Sequence, residues 1–429
     1  MNQMEIVKKL NSKLRGSVLA LTTLILVAIT TLISMIFLQA GMVTYYQSML
    51  IKTSETYEDI HIGINYLLYD LNSTPENNPG LIQMLNDPEN PVVVLHARWG
   101  FFEVVGAQKT GEKETHIKMG FVGYLVPETP HYSLYLLDEG TPLTLCGKTH
   151  ISGDVYLPPQ GVKRGYAGGL QYEGEQLIYG NTFKSESSMP KIFHDTRDII
   201  HDFVSNTLMD EPHQFVTLDD LTEDHFNPFT NPTKIVYDES PIFLSNIDCR
   251  GKYFIESEVA VIVDKTAYLE HVIIKAPYIE IDEGFKGSVQ CIASDSVFID
   301  EHCHLQYPSV VSLIVEQEKP GFKSVMISDS SSIEGLVFVS ATGQEKKSTL
   351  LTMQEGASVL GQVYCNGIMN AKGKITGMLV CRRTILFTPS SIHENYLLNT
   401  SILTNDNKRF QNILPGVGGK GQKDILKWI

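Results

Sequence analysis

From Gly16 to Ile51 the chain carries no charged side chain, and that run limits what it can fold into more than any other feature. Within it, Val18 to Ala40 is dominated by Leu, Ile, Val, Ala and Thr. About 20 apolar residues in a helix cross the roughly 30 Å hydrocarbon core of a bilayer. A cleaved secretory signal has a shorter apolar region, about 7–15 residues. The length therefore predicts a retained single span over 16–40, with Val18, Leu24, Ile25, Ile29, Ile33 and Phe37 facing membrane lipid. A buried core helix is the alternative reading. Lys8, Lys9, Lys13 and Arg15 stand immediately before the run. Positive charge on the short flank predicts a cytoplasmic leader over 1–15 and a periplasmic or extracellular bulk beyond about residue 45. The formal net charge of −15 suits a solvated exterior and argues against a nucleic-acid partner.

The apolar helix outruns the membrane. Val43, Tyr46, Leu50, Thr53, Tyr57, Ile60, Ile64, Leu67 and Leu71 follow one another at alternating spacings of three and four. That is one helix face with a period near 3.5. Pro75 and the Asn/Pro/Gly cluster through Gly80 end it. Either one helix of roughly 80 Å covers about 17–71, or a spanning helix is followed by a separate surface helix. From Pro91 to Asp138 the period becomes that of strands, at 92–95, 101–107, 116–125 and 133–137. A short antiparallel sheet covered by the helix stripe would make an α+β head over 41–138.

At 429 residues the chain exceeds one ordinary hydrophobic core, and beyond residue 140 it repeats itself. An Ile/Val-x-Gly-x-Val/Leu-x-apolar step occurs at Ile151, Ile333, Val359 and Ile375, with Gly153, Gly335, Gly361 and Gly377 as its glycines. Between the first and second copies, Val261/Val263, Ile279/Ile281 and Val297/Ile299 recur every eighteen residues. Val272/Ile274 precede Val289/Cys291 by seventeen. Short strands at this spacing suit a stacked β-solenoid whose glycines turn the corners. A β-sandwich competes, but has no reason to hold an eighteen-residue register. The expected fold class is mainly β: a long N-terminal transmembrane helix with a small α+β head, then a single-stranded parallel β-helix. Its first rungs would cover 139–183 and its main body 241–388. Between them 184–240, with twelve Asp/Glu against four Lys/Arg, reads as an acidic helical insertion. Ile192, Phe193, Ile199, Ile200, Phe203, Val204 and Leu208 have helical spacing, and 211–233 reads as a loop. The tail over 389–429 loses the pattern, and its end, with Trp428, would dock back as a short apolar segment.

Two family resemblances follow. Arg15-Gly16-Ser17-Val18-Leu19-Ala20, between a basic leader and a Thr-containing apolar helix, resembles the start of minor pilins and type II pseudopilins. The helix-plus-sheet head is similar in outline to the pilin fold. The resemblance implies cleavage between Gly16 and Ser17 and packing of the mature helix against other pilin-like or envelope assembly subunits. Tyr46, Leu50, Tyr57, Ile60, Ile64, Leu67 and Leu71 would be the packing stripe. Most members have Glu at the fifth mature position, where this chain has Leu21. The steps at Ile333, Val359 and Ile375 resemble those of bactofilin-like, polymer-forming β-helical proteins, which implies a scaffold without an active site.

The expectation is a non-enzymatic structural protein with no catalytic residue, cofactor or metal. The alternative is a carbohydrate-active β-helix, a lyase or hydrolase, with Asp295, Asp300 and Glu301 as clustered acids beside His302 and His304. A membrane-tethered scaffold or adhesin outside any fibre is a third reading. His302-Cys303-His304 with Cys291 offers metal-ligand chemistry but no evident fourth ligand; His194, Asp198, His201 and Asp202 could also gather a metal, but a charged solvent face explains them better. Cys365 and Cys381 hold equivalent places in successive repeats, where thiols serve as apolar filler or as a disulfide. The glycines from Gly161 to Gly180 lack the strand-to-helix order and Gly-Lys-Ser/Thr of a phosphate loop.

Overall fold

The computed structural model describes residues 3–73, 82–85, 92–111, 114–125, 132–190, 212–222, 225–315, 323–341, 348–405, 413–414 and 422–429. It is mainly β, with one long helix at its start. That helix, α1 (Gln3–Ser73), is unbroken over 71 residues, which decides for one continuous helix over two. Its end coincides with Pro75, whose ring disfavours helical geometry in the residue before it.

Four strands follow: β1 (Ile82–Leu85), β2 (Val92–Trp99), β3 (Phe102–Thr110) and β4 (Thr115–Tyr124). They form one sheet in that order, and a fifth strand, Lys423–Trp428, pairs antiparallel with β4 from Lys423↔Tyr124 to Trp428↔Gly120. The head therefore borrows its last strand from the far end of the chain. Everything between is inserted ahead of that strand.

By contacts the chain divides into two units. The smaller comprises Met1–Gly63, Met84–Val93 and Ala107–Ile117. Inside it Lys109 pairs with Asp59 of α1, and the Tyr57 ring lies 5.4 Å from that of His116. The larger comprises Ile64–Gln83, Val94–Gly106 and Lys118–Ile429.

In the larger unit the strands after β4 form a closed, largely parallel sheet. Successive passes of the chain pair in register, with Val261 beside Ile279, then Val297, Val325, Leu351 and Met369. The eighteen-residue spacing seen in the sequence is this register from Val261 to Val297; the next two steps, to Val325 and Leu351, are 28 and 26 residues long and keep the same file. These residues all point into one apolar interior that runs from Leu134 to Ile402. Stacking parallel strands about 4.8 Å apart satisfies backbone groups between passes and lines apolar side chains into continuous files.

The order of the passes corrects two expectations. Residues 139–183 do not open the stack. His150–Ile151 pairs with Ser401–Leu403 and Thr182–Lys184 with Asp154–Leu157, and Tyr132–Leu136, expected in the antiparallel head sheet, instead pairs parallel with Lys374–Phe387, so these first passes extend the end made by the last. The stretch 211–233 is not all loop: His213–Phe215 and Phe226–Asn227 are parallel strands paired with Thr233–Asp238 and Asp248–Gly251. Sequence order carries no information about which pass lies beside which when both ends of a stack offer an open edge. The helix expected over 192–208 lies outside the described residues. The tail also keeps strands, at Ile392–Glu394, Tyr396–Leu398 and Ser401–Leu403.

One outer face of the parallel sheet is itself apolar. Ile273, Ile292, Val310, Leu336, Phe338, Tyr364 and Val380 pack with Trp99, Phe101, Phe102, Val104, Met119 and Phe121 of the head sheet. The Phe338 and Tyr364 rings stack 5.2 Å apart, and Phe101 lies 5.6 Å from Phe338. Strands buried on both faces read as near-continuous apolar runs, and 310–315 and 336–339 are such runs.

Candidate functional site

The N-terminal helix is the candidate site. Over 18–51 its apolar side chains stand in the open: Val18, Ile25, Ile29, Ile33 and Phe37 are exposed, and Leu24 is 68% exposed. The window is apolar and long enough to cross a membrane, and none of it is buried within the protein. Its threonine hydroxyls make no demand on their surroundings. Thr22 donates to the Leu19 carbonyl at 2.9 Å, Thr30 to Val27 at 2.9 Å, Thr31 to Ala28 at 2.8 Å and Thr44 to Ala40 at 2.9 Å. Such internal bonds let threonine sit in hydrocarbon without an unpaired polar group.

The packing stripe read from the sequence is divided by the structure. Tyr46, Leu50 (70% exposed) and Tyr57 (43%) are exposed, whereas Ile60 (0%), Ile64, Leu67 and Leu71 are buried. One periodic stripe therefore serves two purposes, an intramolecular one from Ile60 onward and an open one before it. The backbone at Gly16 and Ser17 is helical; the surroundings of their side chains lie outside the described residues.

The corner glycines fall together. Gly335, Gly361 and Gly377 are direct register partners, with φ of 143°, 136° and 138°. A Cβ at Gly361 would overlap the Gly335 carbonyl oxygen, and one at Gly377 that of Gly361. Gly153, φ 108°, would meet the Thr404 side chain. These φ values lie where only glycine is unstrained.

The other candidates do not assemble into a site. Asp300 follows Ile299 at a corner, as Asp282 and Asp264 do after Ile281 and Val263, and it accepts the Glu301 amide at 2.8 Å. Burial, then the like charges of Glu280, Asp264 and Asp300, push Asp282 above the usual carboxylate range. Asp295 is paired with buried Lys323. His302 sits in a turn with φ 59°, so His302 and His304 do not share a strand face. His304 Nδ1 lies 2.5 Å from Ser332 Oγ. Among the described residues no group of three or more His, Cys, Asp or Glu could hold a metal ion. His194, Asp198, His201 and Asp202 lie outside those residues. Cys365 and Cys381 are register partners, and both are buried free thiols; burial pushes Cys365 up to about 12 and Cys381 well upward, beyond ordinary reactivity.

Sequence reading missed a buried charge cluster in the head. Glu103 on β3 accepts from Lys423 Nζ at 2.7 Å, and His96 Nε2 on β2 lies 3.5 Å from its other oxygen. Burial alone would raise the Glu103 pKa, but His96 and the Lys423 ammonium outweigh it and hold the carboxyl down to about 2. It also missed two amide clamps. Gln290 donates to the Trp99 carbonyl at 3.0 Å and accepts from Phe101 N at 2.8 Å, closing on the β2–β3 turn at Gly100. Gln362 does the same to Leu414, through its carbonyl and its amide. The signal was a buried Gln inside an otherwise apolar strand run. Beside the first clamp the Trp99 indole donates to the His271 carbonyl at 2.8 Å. Burial, with the Lys427 charge, lowers the His271 imidazole to about 3, so it stays neutral.

The sequence matches no family model and no curated protein. Among solved structures the chain is similar to the competence-associated pilin ComZ from Thermus thermophilus, with 9% identity over 82% of this chain and 86% of that one, at a TM-score of 0.28. A likeness at that level decides neither fold nor function.

Proposed function

We propose that this chain is a membrane-anchored, non-enzymatic subunit of a type IV pilus-like or secretion-type envelope assembly. The observation that carries this reading is the division of α1, with apolar surface open from Val18 to Ile51 and the same stripe buried from Ile60 onward. The uncharged run from Gly16 to Ile51 spans about 54 Å as helix, against roughly 30 Å of hydrocarbon. Lipid covers the first part. The remainder, with Tyr46 and Leu50, needs apolar protein partners, and equivalent helices of neighbouring subunits supply them. The leader stays cytoplasmic, cleavage after Gly16 frees Ser17 as the mature N-terminus, and the bulk lies outside the membrane. The closed parallel sheet is then a β-solenoid carried as a rigid structural module, inserted ahead of the head's last strand.

Mass spectrometry of the protein recovered from membranes tests the reading, with Ser17 expected as its first residue. A chain still carrying Lys8 and Lys9 would instead be a plain tether. Leu24→Glu places a charge inside the span, where it costs up to about 3 kcal/mol. That variant is expected in the carbonate-soluble fraction, and full retention in the membrane pellet would refute the anchor.

A further inference from the structure

The head sheet ends on a strand that arrives from the other end of the chain, and the edge receiving it is built to recognise it. Lys423 reaches the buried Glu103 carboxylate at 2.7 Å, and its ammonium lies 5.8 Å from the centre of the Tyr124 ring. Five residues on, Trp428 lies over Gly120. A Cβ there would stand 3.1 Å from the Trp428 ring and 3.1 Å from Ile425. Lys118 Nζ caps the same indole at 4.0 Å. Between the two anchors Leu426 is buried among Phe102, Phe121 and their neighbours. The Glu103 oxygen facing His96 has no hydrogen-bond partner, nor has His96 Nε2. Without a cation from the fifth strand this buried carboxylate would keep only the His96 imidazole, 3.5 Å away, as its partner, and breaking a buried ion pair is costly.

The geometry points to the β4 edge as a strand-acceptor site that reads two features, a lysine for Glu103 and an aromatic ring five residues later for Gly120. In the single chain the site is filled from within. Its partner in trans is the C-terminal strand of a second copy, because that copy carries the same lysine, the same tryptophan and the same spacing. Residues 415–421, which join the strand to the rest of the chain, include Gly416, Gly418, Gly419 and Gly421. Main-chain pairing gives such strand addition its affinity, and side-chain pockets give its specificity. Neighbouring subunits held at high local concentration exchange such a strand at no cost in contacts, since one pairing replaces an identical one.

The test uses the full-length chain in detergent and a fluorescent peptide of residues 422–429. Full-length Lys423→Met weakens the internal strand and is expected to bind the peptide at one per chain, at least about tenfold more tightly than the unaltered chain does. A peptide carrying Lys423→Met should lose about tenfold or more. Full-length Trp428→Ala keeps the ion pair and folding, so it serves as a second opened acceptor. A tagged Lys423→Met chain co-expressed with an untagged unaltered chain should recover it, and excess peptide should release it. Failure of both opened chains to bind the peptide, equal binding of the lysine-lacking peptide, or no recovery of the second copy would overturn the proposal.

Discussion

At Gly361 the backbone sits at φ 136° with the Gly335 carbonyl where a side chain would begin. Gly361→Ala thus meets strain of about 1–3 kcal/mol from φ alone, to which the overlap adds. A fall in the denaturation midpoint matching a loss of at least about 2 kcal/mol is expected; an unchanged midpoint would contradict the corner role. These glycines were legible because a repeat that always spends its glycine at the same step signals a backbone requirement. Glu103, His96 and Lys423 were not. Their positions in the sequence are far apart, and a charged residue in an amphipathic strand looks like any solvated one. The acids at Asp295 and Asp300 show the converse: closeness in sequence gave them the look of a site, while the structure gives one a lysine and the other a turn.

Strands and helices were read with different success for a reason that lies in where their partners are. The period of α1 is local, so its continuity and its stripe follow from side-chain spacing, whereas the change at Ile60 from open to buried depends on what packs there. The C-terminal strand depends on a distant partner for its place, and its stability should carry that partner's titration. Glu103 is held at about 2 in the folded chain against an ordinary 4.5. The stabilisation is then complete above about pH 4.5 and is lost as the pH falls toward 2. The protection of the Gly120–Tyr124 amides, taken relative to their intrinsic exchange rates at each pH, should fall across that window, and Glu103→Gln should abolish the acid-dependent step. Protection that ignores acid in this range would mean the ion pair does not hold the strand.

On the scale of the molecule, the stack is modular along its axis but not on its covered face. Excising residues 264–281, one eighteen-residue pass, keeps the inward files in register, so the variant should retain β circular dichroism and a cooperative melt. It also removes the His271 carbonyl that receives the Trp99 indole, and Ile273 beneath it. A red-shifted tryptophan emission is therefore expected from a folded protein; unshifted emission would show that the clamp at Gln290 suffices to hold the turn. The sequence by itself determined the long apolar helix, the change to strand periodicity, the eighteen-residue passes and the glycine corners. Each of these is a demand made by neighbouring residues on one another. Only the tertiary structure decided that the first passes extend the end made by the last, that the head closes with a strand from residue 423 onward, and that one outer face of the stack is covered. Those are choices among edges and surfaces that are alike in local chemistry, and buried area together with a few long-range polar contacts settles them.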